Sequence, residues 1–172
     1  GEGRRRVLEM RDLAAKTLED VHRLAVELRP VLLDDLGLVA AAQKYIENFS
    51  RQYGLPVEID FAGLSRERFR PEVEIALYRI LQEALTNIVK HAQAAQVRVS
   101  LKRNRGRLRL SIADNGIGFD PAAVQSGGGA CLGIHGMRER MAILDGAFSI
   151  KSAPGGGGTT ILAEVPLRKS GR

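Results

Sequence analysis

The chain has no tryptophan, one cysteine and few aromatic residues, which make up 5% of its 172 positions. With Cys131 alone it can form neither an internal disulfide nor a cysteine-based metal cluster, and a reducing, cytoplasmic setting fits. The net charge of +6 is compatible with an anionic ligand, an acidic partner or nucleic acid. A surface that stacks bases needs more aromatic residues than this, and nucleic acid is not expected as a partner. Arg107 and Arg109 alternate with Leu108 and Leu110, and Arg103 and Arg105 flank them, so these arginines fall on the wet side of an expected hairpin. No apolar run approaches the ~18–20 residues of a membrane span. Gly1-Glu2-Gly3-Arg4 lacks the apolar stretch of a signal peptide. Both statements concern this chain alone; a parent protein can be membrane-anchored upstream.

What is present suffices for one soluble core, with 44% hydrophobic and 27% charged residues. Val7, Met10, Ala14, Thr17, Val21, Leu24 and Leu28 alternate spacings of three and four, which predicts a helix over 4–28 with a heptad seam that needs a partner. Leu28-Arg29-Pro30 closes it. A second helix is expected from about Asp35 to Tyr53, stopped by Gly54, then a strand from Pro56 to Phe61. Pro71 opens a third helix whose apolar face runs Val73, Leu77, Ile80, Leu81, Ala84, Leu85, Ile88 and which ends near Ala92. Two alternating stretches around Asn104-Arg105-Gly106 predict a hairpin. Residues 114–133 read as loop, a helix follows from Ile134 to Gly146, and two strands, Phe148–Lys151 and Thr159–Val165, flank a glycine-rich turn. Helices combined with strand hairpins, without regular alternation, predict an α+β sandwich with helices on one face of the sheet.

Four local features carry chemistry. Glu83, Asn87 and His91 recur every four residues at the edge of an apolar helix face, where unpaired polar groups cost free energy. They fit a polar ligand, with Asn87 as a hard oxygen donor for Mg²⁺ and Lys90 in reach of a phosphate; a solvated helix flank explains them equally. Asp114 shares the inward parity of Leu108, Leu110 and Ile112, which puts a hydrogen-bond acceptor at the inner end of a strand. Asp-Asn-Gly is also a favoured hairpin turn, yet no alternating return strand follows it. Gly116 and Gly118 permit close approach of backbone to a ligand. Gly127-Gly128-Gly129, Gly133 and Gly136 run into a helix start, an arrangement that can offer N–H groups to phosphates or be a plain mobile loop. Gly158-Thr159 is a tight turn into the last strand.

Taken in order, these features resemble the nucleotide-binding fold shared by gyrase, heat-shock ATPases, histidine kinases and mismatch-repair ATPases. Glu83-Ala84-Leu85-Thr86-Asn87-Ile88-Val89-Lys90-His91 is similar to the N box of that group. Asp114-Asn115-Gly116-Ile117-Gly118-Phe119 is similar to its first glycine box. Leu132-Gly133-Ile134-His135-Gly136-Met137-Arg138-Glu139-Arg140 is similar to its second, and Gly158-Thr159 to its last motif. Glu27-Leu28-Arg29-Pro30, Leu33-Asp34-Asp35-Leu36-Gly37-Leu38 and the Gly-Met-Arg-Glu-Arg run resemble the nitrate-sensor-like branch of bacterial sensor histidine kinases.

The resemblance implies a two-layer sandwich with a mixed sheet, preceded by one dimerisation-type helix. Residues 1–33 would be a remnant of the dimerisation and phosphotransfer region, and residues 34–172 the catalytic ATP-binding domain. It implies ATP and Mg²⁺ as ligands, a homodimer in the full kinase, and transfer of the γ-phosphoryl to a histidine outside this chain, then to an aspartate of a response regulator. Asp114, supported by Thr159, would recognise adenine. Asn87 would hold Mg²⁺. Lys90, His91 and the backbone around Leu132, Gly133 and Gly136 would contact phosphates, with Gly116 and Gly118 shaping the pocket and Glu83 in the catalytic role. His22 reads as a histidine on the bundle surface. The family usually has glycine where Cys131 stands. The rivals are a serine kinase or plain ATPase of the same fold, and a nucleotide-binding module without activity.

Overall fold

The computed structural model describes residues 31–64, 67–122 and 132–167. The chain divides into two compact units, Gly1–Val31 and Leu32–Arg172. The heptad helix expected over 4–28, the Gly127–Gly129 run and Cys131 lie outside the described residues.

Helix α1 spans Val31–Tyr53 and is broken at Gly37, whose φ of 78° no helix contains. It begins four residues earlier than the Asp35 of the sequence reading, because Gly37 interrupts a helical path already begun. A Cβ at Gly37 would come within 2.8 Å of Arg68 Cδ, so the glycine serves both the bend and the close approach. Gly54, with φ 64°, closes α1 in the left-handed conformation that favours glycine. Strand β1 is Val57–Asp60. Helix α2 is Pro71–Asn87 and continues without interruption into a π-helical turn, Ile88–Ala92, that ends on left-handed Gln93. Its apolar face is buried as the periodicity requires. Glu74 is buried with it, accepting from the Phe69 N–H at 2.9 Å and pairing with Arg68 at 3.2 Å. An unpaired carboxylate could not remain there.

Strands β2, Val97–Asn104, and β3, Arg107–Asp114, form the expected hairpin. Arg105 and Gly106 both have positive φ, which gives the two-residue turn whose twist matches that of the strands. Helix α3 is Leu132–Ile143, followed by β4, Ala147–Ser152, and β5, Thr159–Pro166. The sheet order is β1-β2-β3-β5-β4, with β1 and β2 parallel and the other neighbours antiparallel. The sheet is therefore mixed, and α2 and α3 pack on one of its faces. Helix α1 joins α2 through an edge-to-face contact of Tyr45 with Tyr78, ring centres 5.9 Å apart. Val97, Val99, Leu101, Leu108, Leu110, Ile112, Ile161, Ala163 and Val165 point beneath the helices and are buried. The opposite face is wet and bears ion pairs, among them Arg98–Glu58, Lys102–Asp60 and Arg109–Glu164.

Candidate functional site

The strand register decides where the site lies. Asp114 ends β3 directly opposite Thr159, the first residue of β5. Because side chains alternate along a strand, Asp114 falls on the same face as Ile112, towards the helices. There a cavity of about 240 Å³ opens. Its wall is mostly apolar: Ala84, Ile88 and Ala92 from α2 and its π turn, Ile112, Ile150 and Ile161 from the sheet, Phe119, and Ile134 from α3. Among the described residues, only Asn87, His91, Asp114 and Thr159 bring polar side chains to it. A predominantly apolar cleft with a few convergent polar groups is the usual form of a small-molecule site.

Among the described residues, Asp114 is the one carboxylate in the wall. Burial pushes its carboxyl above the usual carboxylate range, and N–H bonds from Gly116, at 2.8 Å, and Thr159 draw it back in part. Three glycines make this corner possible. A Cβ at Gly116 would overlap the carbonyl oxygen of Ala92, one at Gly118 that of Ala153, and one at Gly158 that of Asp114. Their backbone is knitted by Ile117 N–H to Ala92 O at 2.8 Å and Gly158 N–H to Gly116 O at 3.0 Å.

On the opposite wall, Asn87 and His91 line the cavity, Glu83 stands one turn before them, and Lys90 is exposed away from the lining. Asn87 precedes the π turn and His91 lies within it, and both line the cavity; such turns recur at functional sites. Asn87 Nδ2 donates towards Glu83 Oε1 at 3.4 Å. Gly133 lies against the same Glu83 oxygen. Gly133 and Gly136 belong to the first turns of α3 itself, since the helix begins at Leu132 and not at Ile134 as the sequence suggested. The side chain of Leu132 lies outside the described residues. Among the described residues no group of three or more His, Cys, Asp or Glu could hold a metal. The side-chain oxygen of Asn87 is a hard donor that could share a cation with groups of a ligand, the manner in which Mg²⁺ is usually bound.

Sequence reasoning missed two residues that shape the corner. Asn115 Oδ1 accepts from the N–H groups of Ala95 and Gln96, each at 2.9 Å, and so ties the end of the π turn to β3. Ser152 Oγ accepts from Phe119 N–H at 2.9 Å, donates to Gly158 O at 3.0 Å and lies 2.8 Å from Thr159 Oγ1. The signal for Ser152 was its parity with Phe148 and Ile150 on β4. Nothing local announced the partners of Asn115, which come from about twenty residues upstream.

An α+β sandwich whose cavity sets a carboxylate in an apolar wall, with an amide and an imidazole from a neighbouring helix, has the form of a small-molecule-binding domain. The family model described as histidine kinase-, DNA gyrase B-, and HSP90-like ATPase matches residues 72–169, more than half of the chain, and the chain belongs to this family. It is 37% identical over 166 residues to the signal transduction histidine-protein kinase/phosphatase DegS of Brevibacillus brevis, covering 96% of this chain and 42% of that protein. It is 39% identical over 155 residues to the oxygen sensor histidine kinase NreB of Staphylococcus carnosus, covering 90% of this chain and 44% of that one. The chain thus spans less than half the length of these curated relatives. The solved structure of the Acinetobacter baumannii histidine kinase AdeS shares the fold, with a TM-score of 0.65 at 15% identity, covering 93% of this chain and 84% of that chain. This chain therefore carries an ATP-binding catalytic domain of the sensor-histidine-kinase type.

Proposed function

We propose that the cavity holds ATP with Mg²⁺, and that the parent protein moves the γ-phosphoryl to a histidine outside this chain for relay to an aspartate of a response regulator. The observation that carries the reading is the half-buried Asp114, an acceptor set in an apolar wall opposite Asn87 and His91. Its carboxylate accepts the exocyclic amine of adenine, and Thr159 holds it in place through its N–H. Gly116 and Gly118 let the backbone close around the base. Asn87 is the cation ligand; bound Mg²⁺ neutralises phosphate charge. His91 and the first turns of α3 at Leu132, Gly133 and Gly136 face the phosphates, where a helix start favours anions, and the long side chain of Lys90 reaches them from outside the cavity lining. Glu83 orients the Asn87 amide and the incoming group. Phosphoryl transfer needs little covalent work from protein, so positioning of this kind is most of what the domain supplies. Residues 1–33 belong, in this reading, to the dimerisation region of a homodimeric kinase, and residues 34–172 form the catalytic domain, which works in the cytoplasm.

The test has two parts. Calorimetric titration should show ATP binding strengthened by Mg²⁺, and GTP, which offers a carbonyl where adenine offers an amine, binding far more weakly. With the histidine-bearing region of the parent supplied, label from γ-phosphate should be stable to alkali and lost in acid. Acid-stable label would point to serine transfer instead, and equal binding of GTP would remove Asp114 from base recognition.

A further inference from the structure

Glu83 and Gly133 come from different helices and touch. A Cβ built on Gly133 overlaps Glu83 Oε1 and comes 2.9 Å from Glu83 Cδ and 3.4 Å from its Cγ. Gly133 does not have the positive φ that calls for glycine, and it sits within α3, where alanine is the better helix former. Backbone conformation therefore gives no reason for glycine at this position; the space taken by Glu83 does. The same Oε1 lies 3.4 Å from Asn87 Nδ2. A carboxylate can only accept, so Asn87 turns its amino group towards Glu83 and leaves Oδ1, a hard oxygen, as its free acceptor.

We propose that Gly133 is a positioning residue. By carrying no side chain it lets the first turn of α3 rest on Glu83, and so holds the Glu83–Asn87 pair in the orientation that presents Asn87 Oδ1 to a cation. The proposal rests on the reading of Asn87 as cation ligand given above. It differs from the phosphate role of the neighbouring backbone, because here the missing Cβ matters and not the N–H. The atoms in the way are the far end of a flexible side chain, so Gly133→Ala displaces the carboxylate and leaves the fold standing.

The test is a double-mutant cycle on this chain, read as the ratio of ATP affinity in Mg²⁺ to that in EDTA. Mutating a partner that orients a metal ligand typically costs ~10–100-fold in metal affinity. Gly133→Ala should shrink the gain brought by Mg²⁺ by roughly tenfold or more. In a Glu83→Ala background the same substitution should change that gain by less than about twofold, since the pair it acts through is already gone. An equal loss in both backgrounds would show that Gly133 acts on phosphates through its backbone, and no loss in the wild-type background would show that it positions nothing. Either result overturns the proposal. A wild-type chain that gains nothing from Mg²⁺ sinks the reading of Asn87 instead. The contact itself is read without nucleotide from the carboxyl ¹³C resonance of Glu83, assigned by its loss in Glu83→Ala. Gly133→Ala must move it, and an unmoved resonance overturns the proposal whatever the titrations give.

Discussion

Burial of Asp114 disfavours its charged form. Its carboxyl titrates above the usual carboxylate range because burial disfavours the charge more than the Gly116 and Thr159 N–H groups favour it. A raised folded-state pKa means that the folded chain binds this proton more tightly than the unfolded chain, so the contribution of Asp114 to stability is present at acid pH and lost as pH rises through that pKa. Asp114→Asn removes the ionisation. The variant should gain on the wild type as pH is raised through the carboxylate range, and the two should converge in acid; thermal unfolding over a pH series measures the gap. A gap of opposite sign would mean that its partners outweigh its burial. Asn87 makes a second prediction at this scale. A polar contact to a charged group contributes about 1.5–3 kcal/mol. Asn87→Ala should therefore weaken ATP binding roughly ten- to a hundredfold in Mg²⁺ and much less in EDTA. Equal loss in both buffers would make the residue structural. Asp114 was legible because strand parity with Leu108, Leu110 and Ile112 aims it inward. Glu74 was not, since its burial depends on Arg68 and on the Phe69 N–H, partners that no periodicity reveals.

At the scale of elements, long apolar periodicity proved reliable and glycine did not. The face of α2 and the β2–β3 hairpin follow directly from spacing and turn chemistry. Helix α3 starts two residues earlier than expected, because Gly133 reads as loop until its contact with Glu83 is seen. The break in α1 at Gly37 was hidden too: part of the demand for glycine there is the side chain of Arg68, about thirty residues away in sequence. The π turn leaves no sequence signature at all, yet it carries His91, which lines the cavity. Its end is pinned to the loop after β3 by the Ile117 N–H to Ala92 O bond and by Asn115. Gly116 stands at that junction, and the atoms a methyl would meet are the carbonyl group and Cβ of Ala92, which cannot swing aside. Gly116→Ala should lower the free energy of unfolding by about 1–3 kcal/mol, the range for forcing a group into a filled space. Denaturant unfolding checks it. A neutral result would show that the π turn and the loop move independently.

For the whole molecule, the mixed sheet separates two tasks. One face buries its aliphatic side chains under the helices, and the other carries paired charges in water. Pairs of the latter kind contribute little to stability, so the packed face holds the fold together. The cavity lies where the packed face stops, at the junction of β3, β5 and α2, so the rigid sheet fixes Asp114 while the helix fixes Asn87 and His91. The motifs came in the right order in the sequence, and the fold brings Asn87, His91, Asp114, Gly118 and Thr159 to one cavity, while Glu83, Lys90, Gly116, Gly133 and Gly136 stay outside its lining. The most direct measurement is calorimetric titration of the wild-type chain and Asp114→Asn with ATP in Mg²⁺. Leaving a buried partner unmatched costs about 1–3 kcal/mol, so the variant should bind roughly ten- to a hundredfold more weakly while remaining folded. A folded variant that binds ATP as tightly as the wild type would contradict the assignment of this cavity as the adenine site.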